Sequence, residues 1–354
     1  MKRRAFMMSC LLSAMANGNA NATATPQYAK VLRGLLLQFP RDHGAHSDFR
    51  TEWWYVTGAL DLPRKDIGFQ LTFFRVRTGF AEELASPIAA SQILFAHAAV
   101  TLPGDKLLHA DRAARANLGA GFSTADCDVH LGAWQMRRSA SDVFTLKAQD
   151  AQFALDFSLT PTQPKMLQGD VGFSQKGARA EQASYYVTWP QLQVEGSIVL
   201  NGKSQPARGK AWFDHEWSSE VLGETDVGWD WLGINLADGG ALMAFRIRDV
   251  AGATVFAHAT LRDAAGRTQT WSAADVQFKA LRKWRSARGT EYPVETELRF
   301  GPHIIRTQPM IDDQEISTRR PAPVTYWEGL VQVGGTLIGR GYLELTGYAG
   351  KIVM

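Results

Sequence analysis

The chain has 354 residues, a formal net charge of +3 and 45% hydrophobic residues. That length fits two domains of ordinary size, and the hydrophobic fraction is that of a globular protein. The near balance of charge leaves no electrostatic footprint for a nucleic-acid partner.

Residues 1–24 read as a secretory signal: Lys2-Arg3-Arg4, a short apolar stretch, then small residues around Ala20-Asn21-Ala22 and Ala22-Thr23-Ala24 that suit cleavage. The apolar run is too short to span a bilayer, so an exported, periplasmic protein is expected. Cys10 would leave with the signal. Cys127 then stands alone between Asp126 and Asp128, a setting that disfavours a thiolate, and no internal disulfide can form.

Beyond the signal, strand patterns dominate. Trp53, Tyr55, Thr57 and Ala59 alternate with Trp54, Val56, Gly58 and Leu60, and Val294, Thr296, Leu298 and Phe300 alternate with Glu295, Glu297 and Arg299. Turn signals at Pro103-Gly104, Asn201-Gly202, Asp238-Gly239-Gly240 and Ala265-Gly266 separate such runs. Residues 161–183 read as a long loop. Helical periodicity is fair only in residues 81–90 and 111–118.

The order of motifs repeats. Glu52-Trp53-Trp54-Tyr55, Phe74-Arg75-Val76-Arg77 and Phe95-Ala96-His97-Ala98 return as Trp229-Asp230-Trp231, Phe245-Arg246-Ile247-Arg248 and Phe256-Ala257-His258-Ala259. Gln193-Val194-Glu195-Gly196 before Trp212-Phe213-Asp214 is matched by Gln332-Val333-Gly334-Gly335 before Tyr342-Leu343-Glu344. A period this long implies two copies of one domain rather than a solenoid. The expected fold is all-β, with two tandem antiparallel barrels over residues 28–219 and 220–354. The junction between the copies is a natural place for a ligand.

Three clusters could carry chemistry. His43 and His46, with Asp42, Asp48 and Glu52, match no strong metal-ligand spacing and read as a polar entry loop, so no metal or other cofactor is expected. Asp214-His215-Glu216-Trp217 sets an acid, an imidazole and an indole at the junction. On a strand Asp214 and Glu216 share one face, His215 and Trp217 the other. A carboxylic acid against aromatic walls can serve as a proton donor, which makes Asp214 and His215 catalytic candidates. Asp230, between Trp229 and Trp231, is an alternative acid. The eleven tryptophans call for an explanation, and Trp53, Trp54, Tyr55, Trp217, Trp229 and Trp231 are expected to form an apolar ligand wall. His97 and His258, like the arginines beside them, recur in both copies and are assigned to the fold.

Phe39-Pro40-Arg41-Asp42-His43-Gly44-Ala45-His46, Thr51-Glu52-Trp53-Trp54-Tyr55, Asp214-His215-Glu216-Trp217, Tyr326-Trp327-Glu328-Gly329 and Gly341-Tyr342-Leu343-Glu344-Leu345-Thr346-Gly347-Tyr348 resemble the AttH/CrtC lipocalin-like family, which includes carotenoid 1,2-hydratases. The resemblance implies two lipocalin-like barrels, a large apolar pocket, an isoprenoid or lipid ligand, and ABC-transport components as partners. His215 and Trp217 match the His-x-Trp element of the hydratases. The Tyr-x-Asp pair that those enzymes carry is missing from residues 241–248. On these grounds an exported carrier of a long apolar ligand ranks ahead of a carotenoid 1,2-hydratase-like hydro-lyase, since loss of one acid removes about 10²–10⁴-fold of a proton-transfer rate.

Overall fold

The computed structural model describes residues 26–352, apart from 63, 64, 81, 83, 85, 87 and 105. The export signal read from residues 1–24 lies outside the described residues.

The first sheet is built from Thr51–Leu62 (β1), Lys65–Arg77 (β2), Gln92–Leu102 (β3), Lys106–Arg115 (β4), Ala120–Phe122 (β5), Asp128–Leu131 (β6), Trp134–Arg138 (β7), Phe144–Gln149 (β8), Phe153–Thr160 (β9), Met166–Leu167 (β10), Phe173–Gln175 (β11), Ala183–Leu200 (β12) and Lys203–Glu220 (β13). The second is built from Asp226–Leu236 (β14), Ala241–Asp249 (β15), Thr254–Arg262 (β16), Thr268–Trp271 (β17), Val276–Arg285 (β18), Glu291–Phe300 (β19), His303–Pro309 (β20), Glu315–Thr318 (β21), Val324–Gly335 (β22) and Gly339–Leu345 (β23). Pairing is antiparallel along both sheets.

The first sheet runs β4-β3-β2-β1-β13-β12-β9-β8-β7-β6-β5 and curls into a nearly closed barrel, its two ends linked by a bridge from Ala116 to Ala120. The second runs β17-β16-β15-β14-β23-β22-β20-β19-β18 and forms a half-barrel. The central order is the same in both: β3-β2-β1-β13-β12 matches β16-β15-β14-β23-β22. The duplicated motifs therefore sit on equivalent strands. The long hairpin β12–β13 turns at Asn201 and Gly202, both at positive φ (49° and 75°). That is the conformation an Asn-Gly turn favours, because its twist matches that of the flanking strands.

Neither helical expectation holds among the described residues. Most of 111–118 belongs to β4, where Ala110 and Leu108 point inward and pairing with β3 overrides local preference. The described part of 81–90 forms turns.

The interior of the first barrel is filled by side chains such as Trp54, Leu71, Phe73, Phe157 and Phe213, so it is a core and not a ligand chamber. Leu232, Leu242, Val294, Trp327 and Leu343 fill the concave side of the second sheet. A third cluster, including Tyr55, Tyr186, Trp212, Trp231, Phe245 and Tyr342, joins the outer face of one sheet to the outer face of the other. Both faces of the central strands are thus buried, which accounts for much of the aromatic content.

Polar pins cross this interface. Gln191, in a bulge of β12, donates to the carbonyls of Leu236 (3.0 Å) and Gly240 (2.7 Å), and its own N–H donates to Asn235 Oδ1 (2.7 Å). Thr101 donates to Gln314 Oε1 (2.9 Å). Gly68 permits close approach: a Cβ there would lie 2.6 Å from Tyr342 Oη and 2.9 Å from Leu330 Cβ. Gly68→Val is expected to wedge the sheets apart and lower stability by about 1–3 kcal/mol, the usual range for overpacking. Gly334→Ala, where a Cβ meets nothing within 4 Å, is the control. Equal melting temperatures for the two variants would contradict this account of the interface.

Candidate functional site

A cavity of about 300 Å³ lies between the two sheets. Alternation along the strands decides what reaches it. From β1 come Trp53 and Tyr55, from β13 Asp214 and Glu216, from β14 Trp229 and Trp231. Phe74 and Phe95 face Phe245 and Ile247 across the space. Glu328 and Glu344, which are cross-strand partners on β22 and β23, complete the acidic part of the lining. The volume is at the small end of the range for ligand pockets.

Four carboxyl groups in one aromatic cavity cannot all ionise cheaply. Burial pushes the Asp214 carboxyl up to about 7, and nearby Glu216 adds to the effect. Hydrogen bonds from Thr188 Oγ1 (2.7 Å), Tyr186 Oη (2.6 Å) and Trp212 Nε1 (2.9 Å) pull the other way. Tyr186 in turn accepts from Trp231 Nε1 (2.9 Å). Burial also raises Glu344 to about 7, with Glu216 contributing, while Trp229 Nε1 donates to its Oε2 (3.0 Å). Glu328 is pushed well above the carboxylate range by burial and by Glu344. Glu216 is matched by an ion pair with Lys176 (2.8 Å), whose ammonium lies 4.1 Å from the centre of the Phe245 ring.

The other candidates lie elsewhere. His215 points away from the cavity and is fully buried; its Nε2 bonds Glu52 Oε1 (2.9 Å) and its ring stacks on Trp54. Trp217 stacks on His46 at 3.7 Å between ring centres. Glu52 also accepts from His46 Nδ1 (2.8 Å) and from Arg75 Nε (2.7 Å). Burial alone would raise Glu52, but the Arg75 guanidinium and the two imidazoles outweigh it and hold the carboxyl well below its usual range. Donor atoms of His46, Glu52 and His215 lie within 4.8 Å of one another, a spacing that a metal could use. The Arg75 cation already matches the one carboxylate of that set, so the geometry is that of a hydrogen-bonded network. His43 and Asp42 flank it on a short 3-10 turn, Arg41–His43.

Asp230 is the second-sheet counterpart of Glu52. It is held by Arg246 Nε (2.7 Å), Arg248 Nε (2.8 Å) and Tyr348 Oη (3.0 Å), on the side of β14 away from the cavity. Trp54 and Trp217 likewise serve the first barrel, whereas Trp53, Tyr55, Trp229 and Trp231 line the cavity. Cys127 is buried, and burial with Asp126 keeps its thiol pKa well above the ordinary value.

Glu328, Glu344, Glu216 and Lys176 join Asp214 in the lining without having been singled out as site residues. The available signal was an acid among aromatics on strands buried on both faces. His97 also lines the cavity, although its repeat suggested a purely structural part. The repeat holds in sequence but not in register: Phe74 pairs with Phe95 and His97 with Thr72, while His258 pairs with Phe245. His97 thus sits one pleat deeper than its copy.

A family model described as AttH-like matches residues 30–348. The chain belongs to the AttH-like family. Among solved structures it is similar to a protein described as AttH from Nitrosomonas europaea, with 45% identity, 90% of this chain and 99% of that chain covered, and a TM-score of 0.84. It also shares its fold with kievitone hydratase from Nectria haematococca, at 15% identity, 92% and 97% coverage and a TM-score of 0.66. The comparison with curated protein sequences gives no match.

The raised acids have a consequence for stability. Asp214 and Glu344 hold their protons more tightly folded than unfolded, so their favourable contribution is complete below about pH 4 and is lost as pH rises through about 7. The double variant Asp214→Asn with Glu344→Gln is expected to lose less stability than the parent between those limits. Parallel curves of melting temperature against pH for the two proteins would refute the assignment.

Proposed function

We propose that this AttH-like protein is a hydratase-type enzyme that adds water to an alkene at one end of an apolar, isoprenoid-like ligand. The observation that carries this reading is the pair of acids, Glu344 and Asp214, poised near pH 7 in an aromatic cavity. A carrier of an apolar ligand would need the aromatic walls but gains nothing from buried carboxyl groups, each of which is costly to desolvate. The cavity volume suits one end of a long isoprenoid rather than the whole chain.

Glu344 is the favoured proton donor. Trp229 occupies its Oε2 and Oε1 has no partner among the described residues, whereas both oxygens of Asp214 already accept hydrogen bonds. In the proposed step the Glu344 proton forms a C–H bond as the π bond breaks. The faces of Trp229, Trp231 and Phe245 stabilise the tertiary cation. Water adds to the cation, and its surplus proton returns to the Glu344 carboxylate, restoring the acid. The Asp214–Tyr186–Trp231 chain holds the wall in place.

Incubation with acyclic terpenes, followed by mass spectrometry, is the test. A product heavier by one water is expected, with a rate that falls above about pH 7 as Glu344 loses its proton. Glu344→Gln should lower that rate by about 10²-fold or more. A ligand recovered unchanged under all conditions would favour the carrier, with the ABC-transport components implied by the family resemblance as its partners.

Export to the periplasm is proposed separately, on the basic start, short apolar stretch and small-residue sites of residues 1–24. Cleavage after Ala22 or Ala24 leaves a chain that starts at Thr23 or Thr25. Mass spectrometry of the protein from its native host is expected to find one of these two ends, and an intact Met1 would overturn the proposal.

A further inference from the structure

Beside Asp214 and Glu328, the first-sheet wall of the cavity has a second polar region whose groups are buried yet unsatisfied among the described residues. Among the described residues Gln70 Oε1, Thr72 Oγ1 and His97 Nε2 have no hydrogen-bond partner, and the three residues are at most 3% exposed. Unsatisfied buried groups are expensive, and these three, together with Tyr55 Oη and Glu328 Oε1 around the same cavity, point to a ligand that completes them. They are not scattered. Asp214, Tyr55, Thr72 and His97 form one transverse row across β13, β1, β2 and β3, and Gln70 lies on the same face of β2 as Thr72.

The surrounding bonds fix what this region can accept. Gln70 Nε2 donates to Glu328 Oε2 (2.5 Å) and to Tyr326 Oη (3.4 Å). The Tyr326 phenol can then donate to His97 Nδ1, 2.9 Å away, and in that tautomer the proton of the neutral imidazole sits on Nε2. Burial keeps that imidazole neutral, its pKa lowered to about 3. The region therefore offers a donor at His97, an acceptor at Gln70 and a hydroxyl at Thr72. Neither a carbonyl nor a fully deprotonated anion has a proton to donate to Gln70. A neutral hydroxyl can accept from His97 and donate to Gln70 at once.

We infer that Gln70, Thr72 and His97 form a subsite for a neutral hydroxyl oxygen: the reactant water before addition and the product's tertiary hydroxyl after it. This rests on the hydratase reading and adds to it where the oxygen is held. Gln70 is bonded to Glu328, and Glu328 is the cross-strand neighbour of Glu344. An oxygen held at Gln70 is therefore one side chain removed from the favoured acid.

The subsite can be tested by binding alone, with dihydromyrcene and its hydration product dihydromyrcenol titrated against tryptophan fluorescence. The alcohol is expected to bind about tenfold more tightly, the equivalent of about 1.4 kcal/mol. Thr72→Val and His97→Phe should each cut that preference, the ratio of alcohol to hydrocarbon affinity, at least about threefold, since each removes one hydrogen-bonding group. Equal affinity of the parent protein for the two compounds would overturn the inference, whatever the variants do. So would a preference that survives unchanged in both variants. Glu344→Gln should keep the preference. A protein that selects the alcohol but forms none would therefore retain the subsite and reject the hydratase reading.

Discussion

Each sheet carries a buried carboxylate clasped by arginine: Glu52 by Arg75 in the first, Asp230 by Arg246 and Arg248 in the second. Such pairs add little net stability over apolar residues of the same shape, but breaking one leaves a bare buried charge at a cost of about 3–5 kcal/mol. Their value lies in register. Glu52 ties β1 to β2 through Arg75, to β13 through His215 and to the entry loop through His46. A slip of one residue would turn Trp53 and Tyr55 into the barrel and Trp54 out of it. The cavity wall is thus held by charges on the opposite side of the same strand.

The cavity itself follows an opposite logic. There the carboxyl groups outnumber the cations, with Lys176 matched to Glu216, and burial raises the surplus acids, which find no counter-charges. One molecule thereby contains acids held well below and well above their ordinary range, separated by the thickness of a strand. The difference comes from partners rather than depth, since Glu52 and Asp214 are both buried.

Much of the architecture was legible in the residues. The duplicated motifs, the period of two and the Asn201-Gly202 turn lead directly to two related antiparallel sheets. The division of residues 214–217 between two faces was legible too. Which face meets the cavity was not, because β13 is buried on both sides and shows no polar–apolar contrast. His215 and Trp217 look as suited to chemistry as Asp214 and Glu216 until pairing partners are known. Asp230 misleads for the same reason: its flanking tryptophans point one way and its own side chain the other. His97 shows a subtler limit. Repetition identifies equivalent segments, but a two-residue offset in pairing gives equivalent residues different surroundings.

The pinned contact between the two outer faces also bears on what can be done with such a chain. The cavity has no owner: each half supplies one wall, and each wall in isolation would expose its aromatic rings to water and lose the burial that raises its acids. Because both halves belong to a single chain, the two walls are always present in equal number and at fixed proximity. Freed from symmetry, one wall can keep His97 and Gln70 while the other keeps Glu328 and Glu344. Neither half is a module that could be moved to another protein with its chemistry intact.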